Sequence, residues 1–156
     1  MAGAIIRSQT STQKNKGSVR NDNIIAHFMG GKVLKEEHYE MPHGSHQDVV
    51  ISNWQIPKGT TSDNRSSASI GIFHYSNDWN SLIPVIEQIE TLEIDDEVFR
   101  FSFRKNVCTI EAQCVFLQPS TIWHVHLEAT GKNKIEATNT AIVEFIKWLH
   151  NEKNKK

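Results

Sequence analysis

The stretch Phe73–Leu92, F-H-Y-S-N-D-W-N-S-L-I-P-V-I-E-Q-I-E-T-L, carries the strongest periodic signal in the chain. Trp79, Leu82, Ile83, Ile86 and Ile89 recur at the three- and four-residue spacing that lines up apolar side chains on one stripe of a helix. Ser76, Asn77 and Asp78 precede the stripe, and each offers a side-chain oxygen to the free amides of a first turn. Asp78 also brings negative charge to the positive end of the helix dipole. Pro84 cannot donate to the carbonyl of Asn80, so a bend or a loose first turn is expected there. Trp79 reads as a core anchor. A sharper alternative sets Trp79, His74 and Tyr75 at the rim of a pocket, where loop meets helix.

The residues after this helix read as strands. Val98–Arg104 alternates strictly, with Phe99, Phe101 and Phe103 on one face and Arg100, Ser102 and Arg104 on the other. Lys105-Asn106 is a tight turn, where asparagine tolerates positive φ. In the returning strand, from Val107 to about Val115, Cys108, Ile110 and Ala112 face inward and Thr109, Glu111 and Gln113 outward. Gln118-Pro119-Ser120 turns the chain again. The third strand, Ile122–Leu127, alternates Trp123, Val125 and Leu127 with His124 and His126. A closing helix then starts at Asn133 and Glu136, in a box-like cap, and runs to about His150. Its apolar face is Ile135, Ala141, Ile142, Phe145, Ile146 and Leu149. The segment 152–156 reads as a basic tail. Glu93–Glu97 reads as an acidic connector.

Upstream, residues 1–21 are polar and read as a disordered arm. Asn21 or Asp22 could cap a short helix over Asn23–Met29, with Ile24, Ile25, Phe28 and Met29 on one face, His27 solvated, and Gly30-Gly31 as the stop. Lys32–Tyr39 and Val49–Ile51 form a candidate strand pair. Residues 32–70 have the character of an insertion, and 57–69 that of a long polar loop, disordered or functional. The expected class is therefore α+β: an antiparallel sheet, made of a three-strand meander and an extra strand pair, packed against two to three helices in a single domain over 22–151.

The chain has 156 residues, with 38% hydrophobic and 22% charged side chains and a net charge of -1, which fits one domain with a core and no global attraction to nucleic acid. No apolar run approaches the roughly 20 residues that span a bilayer, and the N-terminus lacks the apolar length of a secretion signal. The two cysteines, Cys108 and Cys114, lie about 20 Å apart on one extended strand, too far to bridge. A cytoplasmic setting is the simplest expectation.

Three segments carry a resemblance: I-I-A-H-F-M-G at Ile24–Gly30, H-Y-S-N-D-W-N-S-L-I-P-V-I-E-Q-I-E at His74–Glu90, and K-I-E-A-T-N-T-A-I-V-E-F-I-K-W-L at Lys134–Leu149. Together they resemble a group of small uncharacterised proteins of Bacteroidetes and their phages. The order of elements is similar to the phage ABA-sandwich domain. The resemblance covers about 90 of the 156 residues and departs from Lys32 to about Ile70. It implies a fold and a phage or mobile-element context, and it transfers no catalytic residue.

Candidate chemistry lies in two places. His38, His43 and His46, with Asp48, could join His124 and His126 around a metal, the basis of a metal-dependent hydrolase reading. Zinc asks for three or four such ligands, and neither H-E-x-x-H nor C-x-x-C is present, so polar surface histidines are the plainer account. The outer sheet face would gather Arg100, Arg104, His124 and His126, with Tyr75 or Trp54 available to stack. Arginine forks suit phosphate or carboxylate, so a small anionic ligand such as a nucleotide is expected. A solvated face with cross-strand pairs such as Arg104 with Glu111 is the plainer alternative. Glu87, Glu90, Glu93, Asp95 and Asp96 read as a solvated helix face and connector. Nucleophilic motifs and phosphate-cradling glycine loops are missing, and no cofactor is expected. The sequence points to a non-catalytic accessory or counter-defence protein that sequesters its ligand, with a host-protein interaction module as the alternative. A homo-oligomer is a further expectation, because another copy can cover a one-layer sheet's bare face.

Overall fold

Glycines 30 and 31 end the first helix, and the reason is geometric. Gly30 takes φ +88, a left-handed conformation open to glycine without penalty. A Cβ on Gly31 would sit 2.8 Å from both the Ala26 carbonyl oxygen and Pro57 Cγ. The computed structural model describes residues 17, 19–40, 48–61, 65–116 and 122–156. They divide into two compact units, Met1–Phe73 and His74–Lys156. The class is α+β, with four helices and two antiparallel sheets among the described residues.

In the first unit, helix α1 covers residues 19–28, so Asp22 lies inside it and not at its cap. Ile25 and Met29 are buried, as the periodicity predicts, together with Ala26. Strands β1 (Lys32–Glu40) and β2 (Asp48–Gln55) pair antiparallel, with Val33 opposite Trp54 and His38 opposite Val50. Leu34 is an extra residue in that ladder. The segment read as loop up to 69 contains a short helix, α2 (Arg65–Ser69), which buries only Ala68. Its sequence, R-S-S-A-S, has no apolar period to announce it. Gly71, at φ +78, then lies against Trp54: a Cβ there would be 2.6 Å from the indole Nε1. Trp54 is the anchor of this unit, edge-on to Phe73 at 5.1 Å and tilted against His27 at 4.6 Å.

In the second unit, helix α3 (Trp79–Glu90) begins where the capping residues indicate. Asp78 Oδ1 accepts from the Asn80 amide at 3.0 Å, and Oδ2 from the Ser81 hydroxyl at 2.8 Å. The helix continues through Pro84. Its buried stripe is Leu82, Val85 and Ile89, while Ile83 is exposed; the stripe is rotated from the predicted one toward the sheet. The acidic connector is itself a hairpin. Strand β3 (Glu93–Ile94) turns through Asp95 and Asp96, at φ 49 and 66, into β4 (Glu97–Arg104). A two-residue hairpin turn of this hand needs positive φ at both positions, which aspartate tolerates. In the next turn, Lys105 takes the positive φ, 51, and not Asn106. Strands β5 (Val107–Cys114) and β6 (His124–Thr130) complete a meander of order β3-β4-β5-β6.

Helix α4 (Lys134–Lys155) lies over β5 and β6, and α3 over β4. Asn133 caps α4, its Oδ1 accepting from the Glu136 amide at 2.9 Å. The helix continues past His150, so 152–155 are helical and not a separate tail. The core sits between helices and sheet. Phe145, fully buried, meets Phe99 edge-to-face at 5.0 Å, and Leu82, Ile89, Cys108, Ile110 and Ile142 close around them. Burial of this set supplies most of the drive to fold the unit.

Candidate binding surface

The two-residue turn at 105–106 fixes the outer face of the sheet. It sets Arg104 opposite Val107 and Arg100 opposite Glu111. The cross-strand ion pair is therefore Arg100 with Glu111, Nε to Oε2 at 2.6 Å, and not Arg104 with Glu111. The Arg100 guanidinium carbon also stands 4.2 Å from the centre of the Trp123 ring, a cation–π arrangement. Arg104, at the exposed end of β4, has no ion pair among the described residues.

Trp123 reaches this face because of one residue in β6. Leu127 pairs with Ile110, yet Val125 pairs with Glu111, so His126 is a bulge. An extra residue reverses the facing of everything beyond it. Before the bulge, strict alternation would put His124 and His126 outward and Trp123 and Val125 inward. After it, Val125 is 60% exposed beside Glu111, and His124 pairs with the buried Ala112.

Both histidines thus stand on the helix side of the sheet, away from Arg100 and Arg104. His126 packs among Phe99 at 5.3 Å, Phe145 at 5.9 Å and Trp148 at 4.3 Å. Burial pushes its pKa below the usual histidine value; Glu97 opposes that shift and His124 adds to it. His124 Nε2 lies 3.3 Å from Glu97 Oε1. The expected four-residue cluster of Arg100, Arg104, His124 and His126 is therefore split between two faces.

The two stacking candidates are buried. Tyr75 is 4% exposed, and its carbonyl accepts from Asn139 Nδ2 at 3.0 Å, tying the segment before α3 to α4. Trp54 is a core residue of the other unit, its Nε1 without a hydrogen-bond partner among the described residues. His38 is exposed on β1, while His43 and His46 lie outside the described residues. Among the described residues no group of three His, Cys, Asp or Glu side chains is arranged to hold a metal ion.

Of the acidic cluster, Glu90 accepts from the Phe101 amide at 3.1 Å and Asp95 pairs with Lys156. Both cysteines are free thiols. Cys108 is buried, which pushes its pKa up to about 11 against a lowering hydrogen bond from Thr138, so little of the nucleophilic thiolate forms at neutral pH. Among the described residues, no helix is long and apolar enough to cross a membrane.

The outer face that remains is flat and mixed. Arg100, Glu111 and Trp123 form its ordered centre, Val125 is its exposed apolar residue, and Arg104 and Glu128 lie at its two sides. Trp123 and Val125 escaped the sequence reading because a bulge leaves no mark in an alternating pattern, and Glu128 because the strand was expected to end at Leu127. No family model, no curated protein and no solved structure matches the chain.

Proposed function

We propose that the chain is a non-catalytic interaction module whose working surface is the outer face of the four-stranded sheet. The observation that carries this reading is the Arg100–Trp123 pair, held at 4.2 Å and fixed from below by Glu111. Arginine and tryptophan are the side chains most enriched at interface hot spots. Here both are ordered before any partner arrives, so little side-chain entropy remains to be lost on binding. The face is a sheet surface and not a cleft, which favours a macromolecular partner over a small molecule in a concave site. The phage or mobile-element context and an accessory or counter-defence role belong to this proposal through the resemblance alone, and the cytoplasmic setting through the two unbridged cysteines.

The test is capture of partners from host lysate by the full chain and by the double variant Trp123→Ser, Val125→Glu. The reading expects a captured partner to be lost in the variant while the melting temperature stays within a few degrees. Undiminished capture by the variant would sink it.

A second reading keeps the small anionic ligand. It is favoured by Arg104, whose guanidinium is exposed and has no ion pair among the described residues. Native mass spectrometry of protein from host lysate checks it: a retained anion, lost in Arg100→Ala/Arg104→Ala, would replace the protein partner as the object of the site.

A further inference from the structure

Resting on the reading of the outer face as a binding surface, we infer that its partner is a second copy of this chain, docked face to face about a two-fold axis parallel to the strands. The arrangement of charge on the face favours this partner. Arg100 and Glu111 neutralise each other at the centre. Two charges remain. Arg104 lies on β4, at one side of the face, without an ion pair among the described residues. Glu128 lies on β6, at the other side. Among the described residues it has one partner, the Thr109 hydroxyl at a long 3.4 Å. A cation on one flank and an anion on the other, about a neutral middle, is the pattern of a self-complementary surface.

The register says which two-fold fits. Arg104, Val107 and Thr130 form one row across the sheet; Ser102, Thr109 and Glu128 form the next. An axis parallel to β5 lays β4 of one copy over β6 of its partner. Each Arg104 then stands over the partner's Thr130, one row from the partner's Glu128. That offset is about 7 Å along the strand, with sheets about 10 Å apart, within reach of an arginine side chain. The same operation makes the pair twice. An axis perpendicular to the strands stacks β4 on β4 and β6 on β6 instead, and does not bring Arg104 onto the partner's Glu128. Val125 lies in the next row, Arg100–Glu111–Val125, so both ion pairs stand to one side of it along the strands. The face of β4 to β6 is about 26 Å by 14 Å, small for a permanent interface, so the dimer should dissociate on dilution.

The experiment is sedimentation velocity of the full chain over a concentration series, with Arg104→Glu, Glu128→Arg and an equimolar mixture of the two. All substituted sites are exposed, and circular dichroism confirms that each variant is folded. The wild type is expected to pass from monomer to dimer as concentration rises. Each single variant sets like charges together at both contacts and should stay monomeric. The mixture restores opposite charges at both contacts and should regain a dimer made of one chain of each kind.

A wild type that is monomeric throughout, variants that dimerise as the wild type does, or a mixture that stays monomeric would each overturn the inference. If the wild type is monomeric and Trp123→Ser, Val125→Glu still abolishes capture of a foreign protein, only self-association falls. If a wild-type dimer survives every outer-face substitution and capture is also unaffected, the binding surface falls with it.

Discussion

Gly131 joins β6 to α4, and its replacement by alanine should be among the most damaging small substitutions in the second unit. A Cβ at this position would lie 2.5 Å from the Ala137 amide nitrogen and 3.0 Å from the carbonyl carbon and Cβ of Glu136. These are mostly backbone atoms in the first turn of α4, so no rotamer change relieves the contact. Nor can the loop retreat freely. The Gly131 amide donates to the Asn106 carbonyl at 3.0 Å, and Asn106 Nδ2 to the Lys132 carbonyl at 2.9 Å.

The first turn must therefore shift, and with it the cap in which Asn133 Oδ1 accepts from the Glu136 amide. Overpacking of this kind costs about 1–3 kcal/mol, and loss of an asparagine cap about 1 kcal/mol. The sum, roughly 2–4 kcal/mol, corresponds to about 8–32 °C of melting temperature for a unit of this size if it unfolds cooperatively. The assay is a double-mutant cycle by urea and thermal denaturation, followed by far-UV circular dichroism, on Gly131→Ala, Asn133→Ala and the pair. Asn133→Ala alone should cost about 1 kcal/mol. The pair should cost less than the sum, because Gly131→Ala has already disrupted the cap. A Gly131→Ala protein within about 0.5 kcal/mol of the wild type, or a fully additive pair, would refute the reasoning.

Other consequences follow from single residues. His126 has a folded-state pKa lowered by burial, so the unfolded chain takes up a proton first as pH falls. Stability is therefore unaffected by this group above the usual histidine value near 6.5 and declines as pH falls below it, until the folded form also protonates. His126→Phe should flatten that part of the stability–pH curve, and an unchanged slope would count against the inward placement. Asp96 holds φ 66 in the β3–β4 turn; Asp96→Gly should stabilise the unit by up to about 1 kcal/mol by removing the left-handed penalty, as read by thermal melting. Gly71→Ala in the first unit combines φ +78 with a Cβ 2.6 Å from Trp54 Nε1, and should cost about 2–4 kcal/mol. A shift in Trp54 emission should accompany it. Adding Trp54→Leu should recover the part due to the clash and not the part due to φ.

Much of the secondary structure was legible because its causes are local. Asp78 and Asn133 cap the helices they precede, since a side-chain oxygen meets an amide two or three residues away whatever the rest of the chain does. Phe99, Cys108, Ile110 and Ala112 face inward because alternation and a two-residue turn together set the facing of β4 and β5. Less was legible where burial was needed to complete the signal. Helix α2 buries only Ala68, and β3 is two residues held by its partner strand. The apolar stripe of α3 was displaced because Ile83 and Val85 are equally apolar, and only the position of the sheet makes Val85 the buried one.

The candidate site shows the same division more sharply. Sequence alone determined the α+β class, the β4–β5–β6 meander, the starts of α3 and α4 and the outward facing of Arg100 and Arg104. It could not determine which side of the sheet receives His124 and His126. Two competing burials decide that: one inserted residue in β6 carries the His126 ring into the aromatic cluster of Phe99, Phe145 and Trp148 and sends Trp123 out to Arg100. The partners that make this arrangement favourable come from β4 and α4, 19 to 27 positions away along the chain. No pattern within seven residues of strand records them, so the placing of the surface belongs to the tertiary structure.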